Sequence, residues 1–320
     1  MTMKSAAIVF AALAAAASPA AAQVVGIGTN PQGTQFYNMS VAIGKVVSGK
    51  TDLQVRVQPI GGTSQLMPQL DRREIEFGLF SAIDMTDGYA GKGSYPGKAV
   101  QNLRAVAVLG PLYFSLFVRG DSPAKTLADT KGMRIPSEFP AALVVMRATR
   151  GLLANAGYTF ADYTALPVTN LSQAADAFKA GRVDLGVSSI GAANIRELNQ
   201  EVSSGVRYLP ILSDAAAIAR MQREVAVSYP TLLQPAPNYF GVREPITVMT
   251  FDMYLATYDG APADVISKFV TVLHANKQEL VAAFPGFRTF EPSQMAKEFP
   301  VPYHPAAAKF YAEKGERTTR

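Results

Sequence analysis

A strand-forming and helix-forming unit that occurs twice constrains the fold of this chain of 320 residues more than any other feature. The first copy, residues 61–82, contains a Gly61-Gly62 turn, hydroxyl residues suited to capping a helix, apolar residues at helical spacing, and a short strand that ends at Ser81. In the second copy, Ser172-Gln173 repeats Ser64-Gln65, 108 residues later (172 − 64). Two similar α/β units in one chain predict two lobes with a cleft between them.

Long β-type runs predict where the chain passes between the two lobes. Residues 103–109 and 113–118 predict two strands, the second of which leads into the first crossing at residues 119–123. The β-branched and aromatic run at 246–258 predicts the return crossing, and the helical pattern after it predicts helices that pack back on the first lobe. We therefore expect a first lobe of residues 23–117 and 248–320, and a second lobe of residues 118–247.

The first 22 residues have the pattern of an export signal. Lys4 provides a positive start, residues 6–17 an apolar core, and Ala20-Ala21-Ala22 a cleavage site before Gln23. The apolar core is shorter than the roughly 18–20 residues that a membrane-spanning helix needs. The sequence therefore predicts a signal peptide, cleaved after Ala22, and a mature protein in the periplasm.

The composition excludes several classes of function. The chain has no cysteine and two histidines, so neither thiol chemistry nor a multi-histidine metal site is expected, and we expect no cofactor. Its net charge of +5 comes from scattered basic residues, which argues against nucleic acid and suits a small organic anion. Without a Gly-x-Ser-x-Gly motif we expect no enzyme. A monomer is expected.

Candidate ligand-binding residues lie in loops after strands and at helix N-termini, where open α/β sheets bind ligands and anions. Thr63 and Ser64 have plain helix capping as an alternative role. Glu138 in a cleft would repel an acid and hold an amine, which makes an amino-acid ligand an alternative. By contrast, Asp84, Asp87 and Lys92 fall in a turn-rich segment, residues 84–97, and are expected to be solvated. The candidates are Thr29, Asn30, Gln32, Tyr37, Thr63, Ser64, Phe80 and Ser81 in the first lobe, and Ser137, Glu138, Ser188 and Ser189 in the second.

Several motifs, in order along the chain, resemble one family of exported proteins. They are I-G-T-N-P-Q-G-T at 27–34, G-G-T-S at 61–64, V-R-G-D-S at 118–122, G-R-V-D at 181–184 and Y-H-P-A-A at 303–307. Together they resemble the TAXI family, the periplasmic solute receptors of tripartite ATP-independent periplasmic (TRAP) transporters. The resemblance covers nearly the whole mature chain.

The resemblance implies a type II periplasmic-binding-protein fold, in which crossing strands join two α/β lobes around a ligand cleft. It also implies TRAP membrane subunits as partners, with the small and large subunits expected to be fused. The ligand implied is a small organic anion such as a dicarboxylate, a 2-oxo acid or an acidic amino acid. The chain departs from the family at residues 136–140, which replace a Gly/Ser-rich turn at the expected cleft, and at Ala306, where glycine is usual. A periplasmic sensor that reports to a membrane signalling protein, or an exported hydrolase, are the alternatives.

Overall fold

The computed structural model describes residues 23–316, which form a mixed α/β fold of two lobes. The signal peptide predicted at residues 1–22 lies outside the described residues. The strands are β1 (Gln23–Thr29), β2 (Leu53–Pro59), β3 (Phe77–Ser81), β4 (Leu103–Arg119), β5 (Arg134–Glu138), β6 (Thr164–Val168), β7 (Gly186–Ser189), β8 (Val206–Tyr208), β9 (Tyr229–Leu233) and β10 (Ile246–Tyr258). The helices are α1 (Gln35–Lys50), α2 (Thr63–Asp71), α3 (Ala82–Ala90), α4 (Leu143–Asn155), α5 (Leu171–Lys179), α6 (Ala193–Glu201), α7 (Ala215–Glu224), α8 (Ala263–Ala275), α9 (Lys277–Ala283) and α10 (Pro305–Glu313).

Two long antiparallel strands, β4 and β10, belong to both lobes. The main sheet has the order β2-β1-β3-β10-β4-β7, with β8 paired to β4 and β9 paired to β10, while β5 and β6 form a separate parallel pair. We call β1–β3 with α1–α3 and α8–α10 the first lobe, and β5–β9 with α4–α7 the second lobe. The boundaries predicted at 117/118 and 247/248 fall inside β4 and β10, and they stay a prediction.

The sequence predicted two strands where the structure has the single strand β4. Gly110 and Pro111 interrupt the β-type pattern, yet the strand continues through them because a β-bulge absorbs the irregularity. Met253 of β10 pairs with Gly110, and Tyr254 pairs with Val108, so the register shifts by one residue between them. Gly110 has a φ of +111°, which a residue without a Cβ adopts at little cost.

The repeated unit is confirmed by the order of the elements in the two lobes. Strands and helices alternate as β1-α1-β2-α2-β3-α3 in the first lobe and as β5-α4-β6-α5-β7-α6 in the second. Helices α2 and α5 are each nine residues long, and their first residues, Thr63 and Leu171, are 108 positions apart (171 − 63).

Segment 84–97, which the sequence predicted to be a solvated surface excursion, instead begins inside a helix. Ser81 and Asp84 form a capping box that starts α3, and Gly91, in the left-handed conformation at φ 62°, ends it. As a result Asp84 and Asp87 are buried, and the expectation that they are solvated is wrong; Lys92 is exposed as expected.

The segment at 229–240 is rich in proline and aromatic residues, which predicts a loop, but it begins with the strand β9. Strand β9 pairs with β10 alone among the named strands, so its Pro230 lies where a strand can lack a backbone N–H.

Each lobe has its own apolar packing around the shared strands. In the first lobe the rings of Phe77 and Phe269 are stacked with centroids 4.1 Å apart, which fixes α8 on β3. In the second lobe Phe117 of β4 lies edge-on to both Phe178 and Tyr208. In residues 23–316 we find no helix with the length and apolar character needed to cross a membrane.

Candidate functional site

A cleft between the lobes collects the ends of strands and the beginnings of helices from both. Its empty space is about 440 Å³, including the part open to solvent. Residues at the starts of α1, α3, α4 and α5 border it, and so do residues from the two shared strands. The lining residues are Asn30, Thr34, Gln35, Phe36, Ser81, Asp84, Leu112, Phe114, Val144, Val145, Ala148, Leu171, Ser189 and Phe251.

One wall of the cleft is apolar. Phe114 of β4 and Phe251 of β10 are buried neighbours whose ring centroids lie 5.9 Å apart. Val144, Val145 and Ala148 are on one side of α4 and add aliphatic surface from the second lobe. A wall of this kind stabilises the carbon body of a small solute by removing apolar surface from water.

Asp84 is the one charged side chain among the lining residues. It is fully buried, and its Oδ2 accepts hydrogen bonds from the Ser81 hydroxyl at 2.7 Å and from the Ser81 backbone N–H at 3.2 Å. Its Oδ1 accepts a hydrogen bond from the Tyr95 hydroxyl at 3.0 Å. Burial raises the pKa of Asp84 to about 6, although hydrogen bonds from Ser81, Thr63 and Tyr95 favour the charged form.

Two amide side chains that line the cleft with Asp84 have buried oxygens without a hydrogen-bond partner among the described residues. They are Asn30 Oδ1, after β1, and Gln35 Oε1, in the first turn of α1. Gln35 is only 7 % exposed. Leaving a buried polar group unpaired costs about 1–3 kcal/mol, so a solute that donates to these oxygens would recover that free energy.

Side chains already satisfy one backbone N–H at several of the helix N-termini that border the cleft. Thr34 accepts from the Tyr37 N–H in α1, and Asn170 accepts from the Gln173 N–H in α5. The first N–H of α4, that of Leu143, donates to Ser64 Oγ at 3.0 Å. The lining residues include neither arginine nor lysine, so an anion in this cleft would depend on the remaining N–H groups.

Contacts between the lobes close the cleft on two sides. The hydrogen bond from Leu143 to Ser64 joins α4 to α2, and the Asn194 N–H donates to the Gly33 carbonyl at 3.1 Å. Gly62 lies against Ala141 so closely that an added Cβ would overlap the Ala141 carbonyl oxygen. The lobes are therefore in contact beside a cleft that is still partly open to solvent.

The structure brings three of the twelve sequence-predicted site residues into the lining, namely Asn30, Ser81 and Ser189. Four others are buried but do not line the cleft: Thr29, Thr63, Phe80 and Ser188. Ser64 serves as the contact between the lobes, and Tyr37 is half-buried on α1.

The remaining three predicted residues border other grooves. Gln32 is exposed and borders a groove beside α5 and α6. Ser137 and the exposed Glu138 border grooves outside the cleft, where Arg150 is a neighbour. Glu138 has a φ of +71°, which is uncommon for a residue with a side chain. The acid that lines the cleft is Asp84 and not Glu138.

Sequence reasoning missed Asp84, Gln35 and the apolar wall. Asp84 had a usable signal, because Ser81 followed by an acid three residues later is the pattern of a capping box. Phe114 and Phe251 had none, because alternating apolar residues in a strand are typical of any core.

Comparisons with known proteins show the family of the chain and the type of its fold. A model of the NMT1-like family matches residues 27–315. A solved structure described as a periplasmic transporter is similar with a TM-score of 0.59 and 13 % identity, over 94 % of this chain and 95 % of that chain. An ancestral arginine-binding protein bound to arginine is similar with a TM-score of 0.52 and 15 % identity, over 83 % of this chain and 98 % of that chain. These likenesses confirm the predicted two-lobed, type II periplasmic-binding-protein fold.

Proposed function

Because the chain belongs to the NMT1-like family and has the fold of solute-binding proteins, we propose that it is a receptor that encloses a small solute between its two lobes. The observation that carries this proposal is the cleft itself. It is lined from both lobes, it combines an apolar wall with a few buried polar groups, and contacts between the lobes cover it. Small-molecule sites in proteins commonly have this composition.

The mechanism follows from the two shared strands. With the lobes apart, a solute meets the first-lobe groups Asn30, Ser81 and Asp84. Closure about β4 and β10 then brings α4 over the solute, and Leu143 reaches Ser64. Closure excludes water, which strengthens the polar contacts to the solute.

The cellular role is proposed on the resemblance to the TAXI motifs. The receptor would be exported to the periplasm and would deliver its solute to a TRAP-type secondary transporter with fused membrane subunits. A small organic anion stays a prediction, supported by the helix N-termini at the cleft and opposed by the lack of a lining arginine or lysine.

Binding without catalysis suits the lining better than hydrolysis does. Ser81 donates its hydroxyl to Asp84, whereas serine hydrolases pair the nucleophile with a histidine. His274 is on α8 and His304 precedes α10, and neither lines the cleft.

The test is to purify the protein without denaturation and to release any bound small molecule for mass spectrometry. A solute present at close to one per chain is the expected result. The stripped protein should then bind the recovered solute with measurable heat and become more compact in small-angle X-ray scattering. If no solute is released, and a panel of organic acids, amino acids and amines gives no heat and no thermal stabilisation, the receptor function is wrong.

A further inference from the structure

We propose that Asn30, Gln35 and Asp84 form an acceptor subsite that binds an amino group of the solute, and that the solute is a compact amine with an apolar body. This inference rests on the receptor function proposed above and specifies the chemistry at one end of its cleft.

The acceptor character of the subsite comes from three side chains that line the same cleft. Asn30 Oδ1 and Gln35 Oε1 are buried without a partner among residues 23–316. Asp84 Oδ2 accepts two hydrogen bonds from Ser81, and Oδ1 accepts one from Tyr95, so every group that the protein places against this carboxylate is a hydrogen-bond donor. Amide groups can rotate to present either oxygen or nitrogen. The carboxylate cannot donate when it is ionised, and it therefore fixes the subsite as an acceptor.

The negative charge of Asp84 favours binding of an amine over binding of an acid at this position. A solute carboxylate next to Asp84 would place two negative charges in a buried site, where like charges repel strongly because little water screens them. An ammonium group would pair with Asp84 and could donate to both amide oxygens. Arg147, the cation nearest in sequence to the second-lobe wall, is paired with Asp87 and does not line the cleft.

The positive end of the α3 dipole already interacts with an acid of the protein itself. Asp84 is the third residue of α3, and its carboxylate accepts the N–H of the capping residue Ser81. An acid of the chain thus occupies the position near the α3 N-terminus that a bound anion would otherwise take. The net charge of the subsite stays negative.

The apolar wall of the cleft limits the size and the charge of the rest of the solute. Phe114, Phe251, Val144 and Val145 offer carbon surface, and the space between them is small. A branched or small cyclic body fits such a wall, whereas a second charged group there would be buried without a partner.

Three probes that share an isobutyl or isopropyl body test the proposal on stripped wild-type protein. They are isobutylamine (amine only), L-valine (amine and acid) and 3-methyl-2-oxobutanoate (acid without an amine). We expect isobutylamine to bind at least about tenfold more tightly than the oxo acid, a difference of about 1.4 kcal/mol, and L-valine to bind more weakly than isobutylamine because its carboxylate is next to its amino group. Binding of the amines should weaken below about pH 6, where Asp84 takes up a proton. The titratable groups around Asp84 are Tyr95 and, one turn along α3, Asp87 with its partner Arg147.

A variant pair assigns the effect to Asp84. Asp84→Asn should reduce amine binding about tenfold or more and leave the oxo acid unaffected or bound more tightly. Asp52→Asn is the matched control, because Asp52 is exposed and pairs with Lys268 away from the cleft. Should Asp84→Asn fail to fold, the comparison of probes and the pH series on the wild type still decide the matter.

If none of the three probes fits the cleft, the solute recovered from natively purified protein provides the test. A recovered solute that reacts with dansyl chloride, as amines do, supports the subsite. A recovered solute without an amino group, or tight binding of the oxo acid with none by the amines, overturns the subsite and leaves the receptor function standing. If nothing is recovered and no probe binds, both proposals fail.

Discussion

Arg147 Nε on α4 lies 3.1 Å from Asp87 Oδ2 on α3, so a salt bridge joins the two lobes beside the cleft. The Asp87 side chain is 3 % exposed and that of Arg147 is 29 % exposed. Asp87 Oδ2 also accepts a hydrogen bond from the Ser94 N–H at 3.0 Å. The buried charge of Asp87 thus has a cation from the other lobe as its partner.

Removing the Arg147 charge should favour the open receptor. In Arg147→Met, closure would bury Asp87 with its charge unpaired, and leaving one partner of such a pair alone costs roughly 3–5 kcal/mol in buried sites. Because Arg147 is partly exposed, we expect a smaller effect, a loss of about tenfold or more in affinity for the copurified solute, measured by calorimetry. Arg150→Met is the control, since Arg150 is exposed on the same helix. Equal losses of affinity in the two variants would contradict a role of the Arg147–Asp87 salt bridge in closure.

A methyl group at residue 62 should block closure by steric overlap. The Cβ of Gly62→Ala would meet the Ala141 carbonyl oxygen, a backbone atom that cannot move aside alone. We expect weaker solute binding and a larger radius of gyration in the presence of solute. The melting temperature of the solute-free protein should change little, because the overlap disappears when the lobes separate.

The neighbouring glycine provides the control for that experiment. In Gly61→Ala the added Cβ would meet only the end of the Gln65 side chain, which can rotate away. Its affinity should be close to that of the wild type. A Gly62→Ala variant that binds as tightly as Gly61→Ala would show that the contact at Ala141 is not needed for binding.

The hydroxyl of Ser64 should contribute to closure through one hydrogen bond. Ser64→Ala leaves the Leu143 N–H without its acceptor in the closed form, at a cost of about 1 kcal/mol, which corresponds to roughly fivefold in affinity. Calorimetry with the copurified solute measures the change, and Ser64→Thr should retain most of the affinity. An unchanged affinity in Ser64→Ala would mean that water replaces the hydroxyl without loss.

Asp84 should make the solute-free protein less stable as the pH rises from about 4 to 6. Its pKa is about 6 in the folded protein, against 3.8 for an unperturbed aspartate in the unfolded chain, so unfolding releases a proton in this range. The stabilisation is therefore complete below pH 4 and is lost as the pH passes through 6, by at most about 3 kcal/mol. Asp84→Asn should remove this slope in urea unfolding measured at several pH values. Parallel pH profiles for the two proteins would contradict the raised pKa.

His304 should give the opposite slope. Its Nδ1 accepts the Ala306 N–H at 3.3 Å at the start of α10, and burial lowers its pKa below the ordinary 6.5. The neutral ring is thus favoured by folding, and the stability it contributes is present above pH 6.5 and is lost as the pH falls through the folded-state pKa. His304→Asn keeps a capping side chain without the titration, so its unfolding free energy should be flatter between pH 7 and 5.

The sequence predicts best those features that depend on residues close together along the chain. The β-branched and aromatic run at 246–258 predicts β10 with its observed bounds, and the second copy of the repeated unit predicts a helix from Ser172, one residue after the observed start of α5. Asn30, Ser81 and Ser189 line the cleft, and each lies just after a strand or at its last residue, as the sequence predicts. These are consequences of chain direction alone.

The remainder of the site depends on which distant segments meet. Asp84 is buried because Tyr95 and Thr63 pack around it, and no period in residues 84–97 indicates this. Phe114 and Phe251 face the cleft because β4 and β10 pair in one register, beyond a bulge that the sequence does not locate. Burial and register arise from tertiary packing, which explains why an acid in a turn-rich segment was taken for a solvated one.

The paired strands β4 and β10 supply the back of the cleft and also connect the lobes, and the bulge at Gly110 lies on the first-lobe side of Phe114. A membrane partner that twisted this ribbon would displace Phe114 and Phe251 without touching the solute. Unloading would then need no competitor for the cleft: torque applied at the outer surfaces of the lobes would be enough to release the cargo.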